Sequence, residues 1–331
     1  MTPDISKIAI TKNNLDLIKE FLEEIVIRPK NILRKWATIT KQTPAIKLGY
    51  IGQHLASLIT GVPGTGTGAR GDDLADGSEV KSCNKIDQAD KCKDCNGRVM
   101  RLEDQCSNCG STNIERKDDS KWLFTIRDEH ELNQYLNMDR IVLLLMDYPG
   151  FDDNDFSDIR INCFEIYPKE KRMSIFGDLI RNHYENIYLP KVAANLKTNP
   201  MNLHPFGFQF YKCNPVQVFS CIIKNIDTDP RIFIDEDAYI RPEIPRTSLM
   251  PSLMMPSSLL KKGEWDILLE KADYETEIRP LMRNNIPLEH MKRLKPADKA
   301  FILPTLDERL RSYIPLREIT SIRQRNHYQR H

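Results

Sequence analysis

The chain has 331 residues, 48 of them basic and 47 acidic, and a hydrophobic fraction of 40%. That fits a soluble globular protein of one large or two modest domains. The longest apolar run, Ile141 to Met146, is too short to cross a bilayer, and MTPDISKIAI lacks the positive-then-apolar build of a signal peptide, so the expected location is the cytoplasm, away from the membrane.

The first elements read as helices. Residues 14–27, NLDLIKEFLEEIVI, carry Leu15, Ile18, Leu22 and Ile25 at helical spacing, with Asn13 or Asn14 as the cap and Pro29 as the expected stop. A second helix is expected over Asn31 to Lys41, and a third from Thr43-Pro44 with the stripe Ile46, Ile51, Leu55, Leu58 and Ile59. Together they make an N-terminal helical layer, residues 1–61. Val62 to Gly71 is rich in Gly and Thr, but no Gly-Lys-Ser/Thr follows and no strand precedes it. It therefore reads as a turn leading into the next strand and not as a nucleotide loop.

Ser78 to Cys83 alternates as a short strand should. After the cysteine-rich stretch, Lys121 to Ile126 reads as a strand and Asp128 to Asn137 as a helix capped by Asp128. Arg140 to Tyr148 reads as a buried central strand, Asp158 to Tyr167 as another strand, and Lys171 to Leu196 as helical. This order predicts an α/β protein, a mixed sheet flanked by helices, with its core over residues 62–200. In the last third, VQVFSCII and RIFI read as strands, and Arg241 to Ser258 as a Pro-rich arm or linker. Helices resume over Ser258 to Lys271 and Asp298 to Tyr313, giving a mainly helical region over 201–331.

A net charge of +1 neither favours nor excludes a nucleic-acid partner, because acidic sites cancel basic arms in the total. Eight cysteines in a cytosolic chain do not suggest disulfides. Cys163, Cys213 and Cys221 lie in apolar sequence and read as buried thiols, and Cys83 as a core thiol or a substitute ligand. The other four form two pairs, Cys92-Lys-Asp-Cys95 and Cys106-Ser-Asn-Cys109, with ten residues between them. Each CxxC presents two thiolates from a tight knuckle, with Gly97 and Gly110 to permit the turns after them. Four thiolates make a closed tetrahedral zinc site, which is structural. This predicts a zinc ribbon inserted over residues 84–120, with basic flanks such as Lys91, Lys93, Arg98 and Arg116.

The second chemistry is the acidic triplet Asp72, Glu79 and Lys81. Residues two apart on a strand share a face, so Glu79 and Lys81 point one way and Val80 the other. The Asp76-Gly77 turn can fold Asp72 back beside Glu79. Two carboxylates suit magnesium, which wants hard oxygen ligands and keeps several waters. A neighbouring ammonium can orient a water or stabilise charge building on a phosphate. The bland alternative is a solvated surface ion pair. His54 is more simply a satisfied helix histidine than a site residue.

The series Asp72, Glu79-Val80-Lys81 resembles the PD-(D/E)XK nuclease superfamily. The wider run GARGDDLADGSEVKS, followed by CxxC…CxxC, is similar to restriction endonucleases of the MamI type, which cut interrupted palindromes. The resemblance implies a PD-(D/E)XK core with an inserted zinc ribbon, Asp72 and Glu79 as magnesium ligands, and Lys81 assisting the attacking water. Its spacing favours Asp72 over Asp73, and Gly71 stands where the family name has proline. It further implies a type II enzyme acting on double-stranded DNA as a homodimer, with a DNA methyltransferase as functional companion. The basic C-terminal half, Lys292, Arg293, Lys295, Lys299, Arg309, Arg311, Arg317, Arg323, Arg325 and Arg330, would then contact phosphates. Two other readings are a non-catalytic zinc-ribbon DNA-binding protein and a repair nuclease without strict sequence demand.

Overall fold

The computed structural model describes residues 5–10, 14–40, 48–66, 72–84, 90–99, 103–116, 120–153, 155, 157–244 and 249–317. From the N-terminus, α1 (Asn14–Phe21) runs through a π-helical stretch, Leu22–Ile27, into α2 (Arg28–Thr40). Then α3 (Leu48–Thr60) precedes β1 (Glu79–Asn84). Three short strands, β2 (Asp90–Cys92), β3 (Arg98–Val99) and β4 (Ile114–Glu115), carry the cysteine module. Then come β5 (Trp122–Phe124), α4 (Glu129–Asn137), β6 (Ile141–Asp147), β7 (Ile159–Ile166), α5 (Ile175–His183), α6 (Leu189–Ala193), β8 (Met201–Leu203), α7 (Phe208–Lys212), β9 (Val216–Lys224) and β10 (Arg231–Ile234). The last third adds β11 (Met255–Pro256), α8 (Lys262–Lys271), α9 (Leu288–Arg293), α10 (Pro296–Ile302), β12 (Thr305–Leu306) and α11 (Glu308–Ser312).

The chain divides into two compact units. One holds the described residues of Met1–Trp122, Met138–Glu165 and Gln217–Ser248; the other those of Leu123–Asn137, Ile166–Val216 and Leu249–His331. In the first unit Pro29 does not end the helix. Just ahead of it the Arg28 N–H donates to the Glu23 carbonyl, five residues back. This wider turn re-registers the ladder, so the proline ring meets no regular α-helical bond. Asn14 does not act as a side-chain cap by accepting a bond. Its Nδ2 donates to the Leu58 carbonyl at 2.8 Å and so ties α1 to the end of α3. The Thr43-Pro44 start expected for the third helix lies outside the described residues.

A five-stranded sheet forms the centre of this unit, in the order β1-β6-β7-β9-β10. β6 is buried at every residue, as the unbroken run IVLLLMD requires. β1 runs parallel to β6 from Glu79 opposite Ile141 to Asn84 opposite Met146. β9 and β10 pair antiparallel, so the sheet is mixed, as expected. The Trp122 indole sits beneath it and donates to the Leu144 carbonyl at 2.9 Å.

α3 lies close on β1 because Gly52 has no side chain there. A β-carbon at Gly52 would stand 2.6 Å from both Cβ and Oγ of Ser82, and the Ser82 hydroxyl already donates to the Leu48 carbonyl. Gly52→Ala must therefore push the helix off the strand. We predict a cost of about 1–3 kcal/mol, read as a lower urea midpoint; an unchanged midpoint refutes this packing.

In the second unit, Asp128 caps α4 as expected, accepting from the Glu131 N–H at 2.8 Å. Phe124 packs edge-on against Tyr135 and Phe176. The helix expected over Asp298 to Tyr313 is split into α10 and α11 by β12, which pairs with β11. Residues 249–253, read from sequence as part of an arm or linker, are pinned here. Arg172 donates to the carbonyls of Leu249 and Met250 at 3.1 Å each, and Arg311 to the Leu253 carbonyl and the Ser252 hydroxyl. Residues 245–248 of that arm lie outside the described residues.

Lys212 is buried beside this frame and donates to the carbonyls of Arg311 and Ile314. Burial, with the Arg311 charge adding to it, lowers its pKa to about 8. Between that value and the ordinary lysine value of 10.5, the unfolded chain holds the proton more tightly, so folding gains as pH rises. Relative to Lys212→Met, the wild-type protein is therefore predicted to gain up to about 1 kcal/mol per pH unit above pH 8. Urea unfolding at pH 8 and pH 9 checks this; a flat difference refutes it.

Candidate active site and metal module

Strand alternation sets the first two site residues. Glu79 and Lys81 project from one face of β1, and the Lys81 ammonium donates to Glu79 Oε1. Their side chains are 14% and 24% exposed, whereas Val80, pointing the other way, is buried. The face bearing Ser82 is the one that α3 covers.

The aspartates are brought in by a tight return of the chain. Gly64 bridges Leu74 in antiparallel fashion, Thr65 N–H donates to the Asp73 carbonyl, and Ala75 N–H to that of Pro63. Gly77 takes a left-handed backbone angle, φ +81°, which only glycine adopts freely. The N–H groups of Asp73 and Leu74 then both reach the Ser78 carbonyl at 3.1 Å.

Asp73, and not Asp72, is the aspartate tied to β1. Its Oδ2 accepts from Val80 N–H at 2.8 Å, and its Oδ1 from the Gln53 amide of α3 at 2.5 Å. Asp72 is exposed; its carboxylate lies over Gly77, and its backbone carbonyl accepts from Thr65. Gln53 escaped the sequence reading, its only signal being a polar residue amid the apolar side of α3. His54 lies near the Phe21 ring, at 6.1 Å between centroids.

Burial pushes the Glu79 carboxyl above the ordinary carboxylate range; Asp73 and Asp72 push it the same way and Lys81 opposes them. Burial raises Asp73 as well, against its bonds from Val80 and Gln53. A dication would relieve this crowding of like charge, and hard carboxylate oxygens suit magnesium. The donor set therefore fits the ion. The three carboxyls do not close into a cage: among the described residues, only the four cysteines bring three or more ligand atoms within 4.8 Å of one another.

Those cysteines, Cys92, Cys95, Cys106 and Cys109, stand as the spacing predicted. Cys92 Sγ is 3.6 Å from Cys109 Sγ, and Cys95 Sγ 3.5 Å from Cys106 Sγ. A disulfide is about 2.0 Å long; the edge of a zinc–thiolate tetrahedron with bonds of about 2.3 Å is about 3.8 Å. The geometry fits zinc. The backbone N–H of Cys95 lowers the Cys92 thiol to about 7, while its close sulfur neighbours push Cys109 up to about 12; four thiolates this close need a cation among them.

The two knuckles differ in how they turn. Gly110 is left-handed at φ +71°, as expected, but in the first knuckle Asn96 takes that role at φ 60°. Gly97 is needed for closeness instead: a β-carbon there would stand 2.6 Å from the Asn108 amide and 3.1 Å from Cys95 Sγ. Asp94 of the first knuckle accepts from Ser111 and Asn113 beyond the second, which ties the two together. Arg116 is not a basic flank facing solvent: it is buried, paired with Asp90 at 2.8 Å. Cys83 is a buried thiol outside the ligand set, and Cys163, Cys213 and Cys221 are buried too.

The basic C-terminal residues divide. Lys292, Arg293, Lys295 and Arg309 are exposed, Lys292 paired with Glu289 and Arg309 with Asp307 at the surface. Lys299 and Arg311 are buried and Arg317 pairs with Glu264, so these are committed to the fold. Arg323, Arg325 and Arg330 lie outside the described residues.

The molecule is thus a mixed α/β protein whose edge strand bears an acid and a lysine and whose chain then passes through a four-cysteine module that could hold a metal. The family model described as MamI restriction endonuclease matches residues 35–258. The chain belongs to that family. It is similar to the type II restriction enzyme MamI of Microbacterium ammoniaphilum, at 32% identity over 150 residues, which cover 45% of this chain and 44% of that protein. The aligned stretch is thus under half the length of that relative. No solved structure matches the chain. No helix among the described residues is long and apolar enough to cross a membrane.

Proposed function

We propose that this protein is a type II restriction endonuclease that hydrolyses phosphodiester bonds of double-stranded DNA at a specific, palindromic site, with magnesium. The observation that carries the reading is the pair Glu79 and Lys81 on one face of β1, with the Asp72-Asp73 return folded against the start of that strand. Membership of the MamI family supports it, and the arrangement is consistent with a PD-(D/E)XK core.

In this reading Asp72 and Glu79 hold magnesium, with Asp73 beside them. The ion, when bound, polarises the scissile phosphate and lowers the pKa of a water. Lys81 orients the attacking water and offsets the negative charge that builds on the phosphate. Glu79, already bonded to Lys81, keeps that ammonium aimed at the site. The cysteine module holds structural zinc. Exposed Lys292, Arg293 and Lys295 contact phosphates without reading sequence. Two strands must be cut, so the enzyme acts as a homodimer. It works in the cytoplasm, where a DNA methyltransferase protects the host's own sites.

Plasmid cleavage with magnesium, against an EDTA control, tests the proposal. Discrete bands are expected. A smear would favour a repair nuclease; DNA binding with no cutting would leave a non-catalytic zinc-ribbon DNA-binding protein.

A further inference from the structure

We infer that Arg140 is the positioning residue of the acidic site: it sets the turn that joins Asp72 and Asp73 to Glu79, and thereby the separation of the carboxylates. The inference rests on the nuclease reading above.

Arg140 stands immediately before β6, and its side chain is 3% exposed. Its guanidinium donates in three directions. Nη2 reaches Asp76 Oδ2 at 2.6 Å, Nε reaches Ser78 Oγ at 2.9 Å, and Nη1 reaches Glu165 Oε1 at 3.0 Å. Its own carbonyl accepts from the Glu79 N–H at 3.1 Å. Asp76 is the turn residue, and its other oxygen, Oδ1, accepts from the Ser78 N–H. One residue therefore grips the tip of the turn, the residue before Glu79, and the backbone of Glu79 itself.

The side chains of Asp76 and Glu165 are 5% and 1% exposed. Burying such charges is a poor route to stability, since apolar residues of similar volume usually do as well or better. What a planar guanidinium supplies is direction: its donors leave at fixed angles, which a lysine cannot reproduce. The arms leaving this frame carry Asp73, bonded to Val80 N–H, and Glu79. A shift of the turn moves one carboxylate relative to the other, and a hard dication is sensitive to that separation.

The test uses the full-length, zinc-loaded protein and two variants. Arg140→Lys keeps the charge but loses the fork, and Asp76→Asn keeps the shape but loses the charge. Manganese binding to the protein without DNA is titrated by electron paramagnetic resonance. Cleavage is followed across magnesium concentrations on a plasmid fragment spanning a mapped cut site. In both variants the manganese dissociation constant and the half-saturating magnesium concentration are expected to rise about tenfold. Excess magnesium should restore cutting, while fragment binding in EDTA stays as in wild type. Either variant, folded and with wild-type metal binding and magnesium dependence, overturns the inference. Loss of fold in both, read by circular dichroism, also overturns it, since the frame would then serve stability alone. Glu79→Gln separates this from the parent reading. If that variant cuts normally, the nuclease reading itself fails; if it is inert while the frame variants behave as wild type, only the role of Arg140 fails.

Discussion

Glu79→Gln and Lys81→Ala, each alone, are expected to lower the single-turnover rate of plasmid cleavage by about 10²- to 10⁴-fold. Binding to a fragment carrying the cut site should persist. The glutamine keeps the size of Glu79 but removes the charge that would hold the metal and the Lys81 ammonium. The alanine removes the ammonium that donates to Glu79 on that face of β1. Both residues sit at the edge of the sheet with their side chains partly exposed, so neither change opens a core cavity. Full cutting by either variant would end the proposal. The aspartates separate by a second reading. Asp72→Asn and Asp73→Asn should both impair cleavage, but only Asp73→Asn should also lower the unfolding midpoint, because Asp73 accepts bonds from Gln53 and Val80 while Asp72 is exposed.

The second large effect concerns the cysteine module. Removing its metal with a strong chelator, or changing Cys106 to Ser, is expected to unfold residues 90–116 locally. Among the described residues, the apolar core of this module is Cys92, Val99 and Cys106, with Ile114 packed against it. So small a cluster cannot offset the chain entropy of ordering two dozen residues. A structural zinc contributes about 10–16 kcal/mol of apparent folding free energy, which dwarfs that core. Elemental analysis should find one zinc per chain in the wild type and none in Cys106→Ser. Limited proteolysis should then cut between the knuckles, where the wild type resists. A metal-free preparation with the same protease resistance would remove the zinc assignment.

Much of this was legible in the residues themselves. Glu79 and Lys81 share a face because the strand period is two, whatever the chain does elsewhere. The unbroken apolar run within Arg140 to Tyr148 read as a buried central strand because it has strand length. The two CxxC pairs brought four thiols together through spacings short enough for local geometry to dictate. One reading met a local irregularity and another a distant partner. Pro29 was read as a stop, because proline breaks a regular ladder; a π-helical stretch ahead of it accommodates the ring. Asn13 or Asn14 was read as the cap; Asn13 lies outside the described residues, and the Asn14 amide is drawn to Leu58, 44 residues away.

Periodicity and ligand spacing thus settled which side chains face together within one strand or one knuckle, since those relations lie within a few covalent bonds. They could not say that Asp73 locks onto β1 through Gln53 and Val80, that Arg140 grips Asp76 from 64 residues further on, or that Arg172 and Arg311 pin residues 249–253. Each of those bonds joins groups that meet only after the sheet and helices have packed, because the direction of a long polar side chain follows the surface it lies on and not its neighbours in sequence.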